Sequence, residues 1–180
     1  MLSSSIPSLT AIIDKEFGDL NLIQLNWKPA PDQWSIGQCF EHLIISNGKY
    51  LPVLKTIIEG KYKVSFWERN NPLSNYTGKQ MIKTLGKNVV KKYKSPQLFI
   101  PSESIISQNI IFDFKNHQAE IFPLFLELEN EKYSKTVITS PVSSLITLKL
   151  HDLLELIIVH EERHINQSLR VKNNKSFPNT

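Results

Sequence analysis

Apolar residues recur at helical spacing in four stretches of the chain. From Ser3 to Leu25 they fall at Leu9, Ile12, Ile13, Phe17 and Leu20, one stripe of an amphipathic helix interrupted by Gly18. Asn26 to Gln33 is a loop, because Pro29 and Pro31 lack the amide hydrogen a helix needs and push the residues before them toward extended backbone. Ser35 then suits an N-cap, and Gln38 three residues on completes a capping box. The helix it opens should run to about Glu59, on a stripe that includes Ile36, Phe40, Leu43, Asn47, Leu51 and Leu54. Pro52 lies inside and should bend it.

Residues 60 to 102 are less regular. Gly60 ends the preceding helix, NNPLSN around Pro72 is turn-like, and a short helix is expected from about Thr77 to Tyr93. Pro96 and Pro101 bracket an extended QLFI. Ser102 and Glu103 open a third long helix to about Asn130, with a kink or restart at Pro123. Residues 134 to 147 read as loop or a short extended stretch, and the last helix should run from about Leu145 to Val171. The polar tail NNKSFPNT, residues 173–180, is expected to be disordered.

Long amphipathic helices without a set of strands predict one all-α domain over residues 1–172, a four-helix bundle. The link between the second and third long helices is too long for a tight hairpin, so it should be a crossover connection.

Composition narrows the class without identifying a substrate. A chain of 180 residues with 41% hydrophobic and 21% charged residues is long enough for a full core. The lone Cys39 excludes an internal disulfide framework and fits a reducing compartment. The N-terminus has no signal-peptide pattern, and no apolar run reaches the roughly eighteen residues of a membrane span. The expectation is a cytoplasmic protein with no membrane partner. A net charge of +4 permits an anionic ligand without demanding nucleic acid, for which no recognition motif is present. Lys79, Lys83, Lys87 and Lys91 recur every four residues as one helical stripe opposite Met81, Leu85 and Val89, the pattern of a solvated face.

The histidines carry the chemistry. His160 and His164 form an H-x-x-x-H on the last helix, and the 3.6-residue turn stacks positions i and i+4. They share a face with Leu153, Leu156, Ile157, Gln167 and Val171, so the imidazoles should point inward. Two such rings can grip a divalent metal, but they serve equally well as packed histidines. His42 lies on the flank of its helix stripe, where a histidine satisfied within the bundle is the simpler reading. His117 reads as core or rim, and His151 as a capping or surface residue.

Two phrases, WSIGQCFEHL near the N-terminus and VHEERHINQSLR near the C-terminus, together resemble the DinB-like superfamily of metal-binding four-helix bundles, in particular its DinB_2 group. The helix plan matches over nearly the whole chain. The resemblance implies a divalent metal, zinc or nickel, held by His42, His160 and His164. Gln38 and Gln167 lie about one turn from the ligands and are expected to orient them or a coordinated water. Glu41, Glu161 and Glu162 adjoin ligands in sequence but point about 100° away, as surface or ion-pairing groups. Trp34 should pack its loop onto the bundle, and Cys39 should fill the core as a small apolar residue.

By the same resemblance the chain is expected to be a metal-dependent transferase using a low-molecular-weight thiol, or a hydrolase, acting on a small-molecule substrate. Its catalytic residues are unknown, and the lysine-rich segment is a candidate to meet an anionic thiol. The competing expectation is a non-catalytic module, metal-binding or dimerising. Ile158, Ile165 and Leu169 face away from the histidines and would need cover from the fold or from a homodimer partner.

Overall fold

The computed structural model describes residues 1–86 and 95–179. Its elements are α1 (Ser5–Phe17), α2 (Leu22–Asn26), α3 (Ile36–Gly48), α4 (Leu51–Ile58), α5 (Phe66–Asn70), α6 (Ser74–Leu85), α7 (Ile110–Leu128), β1 (Val137–Thr139), β2 (Thr147–Lys149) and α8 (Leu150–Lys172). Four long helices pack in a ring: α1 on α7, α7 on α3, α3 on α8, and α8 on α1. Phe17, Phe40, Phe114 and Phe125 fill its centre, fully buried, with Phe40 edge-on to Phe17 and tilted against Phe114. The fold is the expected all-α bundle.

Pair contacts give the helix directions. On the α3–α8 seam His42 meets His164 and Asn47 meets Glu161, so residue numbers rise on one helix as they fall on the other. On the α1–α7 seam Lys115 pairs with Asp14 while Ser3 donates to Glu129, again antiparallel. Phe40 meets Phe114 and Lys55 meets Glu120, so α3–α4 and α7 run the same way. Parallel neighbours cannot be joined by a short turn, which is why a long crossover separates the second and third long helices.

The helix boundaries differ from the sequence expectation in ways local chemistry explains. The first helix stops at Phe17, and Asn21 with Gln24 builds a separate capping box that starts α2. The second long helix is split at Lys49–Tyr50. Pro52 then falls in the first turn of α4, where its missing N–H leaves no hydrogen bond unmade, so it starts a helix rather than bending one. The third begins at Ile110, not at Ser102, because Asn26 binds both the amide and the carbonyl of Ile106 and ties that segment down in extended form. Pro123 sits inside α7 without ending it.

The stretch 134–147 holds more than a loop. β1 and β2 form an antiparallel hairpin with Ile138 opposite Leu148, so the last helix starts at Leu150 rather than Leu145. QLFI is a 3₁₀ turn over Gln97–Phe99, not an extended piece. The short α5 and a start of α6 at Ser74 were not anticipated. The segment 173–179, expected as a disordered tail, is exposed over 173–176 and touches the bundle at Phe177 and Pro178. Phe177 packs edge-on to Trp27 at 5.6 Å, and Gln24 donates to the Pro178 carbonyl. Lys79 and Lys83 are exposed as expected, while Lys87, Val89 and Lys91 fall outside the described residues. No helix among the described residues is long and apolar enough to cross a membrane.

Candidate metal centre

Two seams of the bundle bring the three histidines together. The Ser35–Gln38 capping box starts α3 with both reciprocal hydrogen bonds in place, which fixes the first two turns and the direction of His42. Across the antiparallel seam, α8 presents His160 and His164 one turn apart. The Nε2 of His160 lies 3.2 Å from the Nε2 of His42 and 3.2 Å from the Nε2 of His164. His42 and His164 are buried and His160 is half-buried.

Hydrogen bonding makes this arrangement incomplete by itself. His42 Nδ1 lies 2.6 Å from the Phe99 carbonyl, an acceptor only, so Nδ1 carries the proton and Nε2 presents a lone pair to His160. One proton on His160 Nε2 can serve His42 or His164 but not both. His164 Nδ1 is buried with no hydrogen-bond partner. Burial lowers the pKa of all three rings. His160, further depressed by His42 and Arg163, falls to about 3, and His164 lies well below its ordinary value. The rings are therefore neutral near pH 7, the state that ligates metals.

A divalent cation fits this donor set. With zinc–nitrogen bonds of about 2.0–2.1 Å in a tetrahedron, adjacent nitrogens lie about 3.3 Å apart. The two separations from His160, 3.2 Å each, match that edge, and all three donor atoms lie within 4.8 Å of one another. Three nitrogens of three histidines could hold the ion, and among the described residues no carboxylate or thiolate joins them. Three protein ligands leave at least one coordination position for another molecule.

Residues 99–102 brace the centre from α3. Gln38 donates to the Ser102 carbonyl at 2.9 Å, Glu41 accepts from the Ser102 amide at 2.6 Å, and the Phe99 carbonyl takes His42. Gln38 thus acts on His42 through the segment it holds, because its amide is spent on Ser35 and Ser102. Gln167 lies beside His164, where it favours the charged ring without closing a hydrogen bond to Nδ1 of normal geometry.

Several expectations change here. Glu161 is not a surface group: it is fully buried, accepts a hydrogen bond from Asn47 at 2.7 Å, and burial pushes its pKa up to about 7. Its position one residue from His160 turns it onto the α3 seam. Trp34 covers the histidines rather than merely anchoring its loop, at 4.8 Å from the His42 ring and 5.7 Å from that of His164. Arg163 was given no role by the sequence pattern, yet its charge disfavours protonation of all three histidines, and it donates to the Thr84 carbonyl at the end of α6. His117 is buried beside Phe114 and His151 is exposed, both away from the centre. Of the face turned away from the histidines, Ile158 and Ile165 are buried within the chain and Leu169 is partly buried against the core, and α6 also packs on α8.

Comparison with known families bears on the N-terminal half of this centre. Residues 10–97 match the model of the DinB superfamily. The match is to the family that the two phrases resemble, and it spans just under half of the chain. The matched stretch contains Trp34, Ser35, Gln38 and His42, while His160 and His164 lie beyond it and join His42 through the fold. No curated protein and no solved structure matches the chain.

Proposed function

We propose that this protein belongs to the DinB superfamily and is a divalent-metal-dependent enzyme, a thiol-dependent transferase or a hydrolase, with zinc or nickel held by His42, His160 and His164. The observation that carries this reading is the convergence of three imidazole nitrogens, two pairs of them 3.2 Å apart, with no fourth protein ligand among the described residues. A bound divalent ion would lower the pKa of a coordinated water or thiol and supply an anionic nucleophile near neutral pH. The chain contributes orientation and charge. The Phe99 carbonyl sets the His42 tautomer, and Arg163 adds positive potential that favours an anionic ligand. The small-molecule substrate would reach the centre beside half-buried His160.

Zinc- and nickel-loaded protein, each beside metal-free protein, should be screened for thiol consumption with electrophilic acceptors and for hydrolysis of esters and amides. Metal-dependent turnover that disappears in His160→Ala is the expected result. Metal-loaded protein inert in both screens would leave a non-catalytic metal-binding module.

A further inference from the structure

We propose that Trp34 is a positioning residue of the metal centre, its indole holding the His42 and His164 rings in ligating orientation and strengthening metal binding. This inference rests on the three-histidine reading above and assigns a role to a residue that ligates nothing. Trp34 stacks on His164 with ring centroids 5.7 Å apart and planes 26° apart, and leans on His42 at 4.8 Å and 49°. One indole thus touches two ligands that come from different helices.

Its own place is fixed. Trp34 immediately precedes Ser35, the N-cap of α3, whose amide and side chain are both bound in the capping box with Gln38. The residue before an N-cap sets how the chain enters the helix. A rigid entry therefore delivers the indole to the same spot, against the His42 ring.

Two physical effects follow. Packing against the indole restricts rotation of two imidazoles, so less freedom is lost when they bind an ion. An imidazole bound to a dication is also depleted of electrons, and indole has the strongest electron-rich face among side chains. The contact is then stronger in the loaded protein than in the metal-free one, and by linkage such an interaction raises affinity. A tryptophan serving packing alone would stabilise both forms equally.

Zinc affinity should be measured by competition with a chromophoric chelator for the wild type and for W34F, W34L and W34A, alongside the thermal stability of each metal-free protein. W34A should bind about ten-fold more weakly, and W34L similarly, while W34F stays within about three-fold of wild type. Copper(II) should quench a component of tryptophan emission that W34F lacks, with Trp27 and Trp67 as the internal reference. Equal affinity in all four proteins would overturn the role of Trp34 while leaving the centre intact. W34L binding as well as W34F would overturn the aromatic basis. A wild type without zinc affinity would instead remove the centre itself, so the two failures are separable.

Discussion

Two buried polar clusters of this molecule differ in one respect that separates fold from function. Beneath the hairpin, Asn71 donates to Thr147 Oγ1 at 2.8 Å, Ser74 and Thr147 hydroxyls pair at 2.6 Å, and the Ser74 hydroxyl also bonds the Asn71 carbonyl. Beside it, Glu68 accepts from the Tyr62 hydroxyl, from Thr139 Oγ1 and from the Ser65 amide. Every donor there meets an acceptor. At the histidine centre acceptors converge on one another, and His164 Nδ1 has no partner. A satisfied buried cluster specifies a structure, whereas an under-satisfied one with lone pairs aimed at a common point is built to take a ligand.

The contrast predicts that mutations on the two sides have separable effects. The largest is expected for Glu68→Ala, which strips three donors of their acceptor. It should lower unfolding free energy in urea by about 3 kcal/mol while leaving zinc affinity unchanged. Loss of metal affinity in that variant would break the distinction. On the other side, Gln38→Ala releases the Ser102 carbonyl and half of the α3 capping box. Braces of this type are worth about ten-fold or more in metal affinity, so chelator competition should show at least that loss.

A smaller effect tests the helix that joins the regions. A Cβ on Gly78 would lie 2.5 Å from the Asp152 Cβ, so α6 approaches α8 more closely than a side chain allows. Overpacking costs about 1–3 kcal/mol and the gain in helix propensity returns about 1, so Gly78→Ala should destabilise by about 1 kcal/mol. A stabilised variant in thermal denaturation would show that this seam yields easily.

The smallest effect concerns pH. Burial raises the Glu68 pKa, but hydrogen bonds from Tyr62, Ser65 and Thr139 outweigh it and hold the carboxyl below its ordinary value. A depressed carboxylate stabilises the fold above its unfolded pKa of about 4.3, and that contribution is lost as pH falls through the lower folded value. Urea midpoints should therefore decline below about pH 4, and less steeply in Glu68→Gln. An unchanged slope in Glu68→Gln would place the acid sensitivity elsewhere.

Much of this was legible in the chain, for identifiable reasons. The Ser35–Gln38 capping box and the i,i+4 pair of His160 and His164 are local patterns, and local patterns survive into the fold. Two families of feature were hidden. Elements of three to five residues, such as β1, β2 and α5, are shorter than the window in which periodicity can be recognised. The extended segment after Ser102 carries Ile105 and Ile106 at spacing that imitates helix, and only the distant Asn26 holds it open. Site residues such as Trp34, Arg163 and Glu161 were visible as letters, but their roles depend on which seam each faces. That is decided by tertiary contacts between α3, α6 and α8.

The central claim is that the histidine cluster is a metal centre, and metal content tests it most directly. Untagged protein should be saturated with zinc, passed through gel filtration and analysed for bound ion alongside His164→Ala. About one ion per wild-type chain, and none in the variant, is the expected result. A wild type that emerges without metal, although folded, would contradict it and leave three histidines packed for the fold alone.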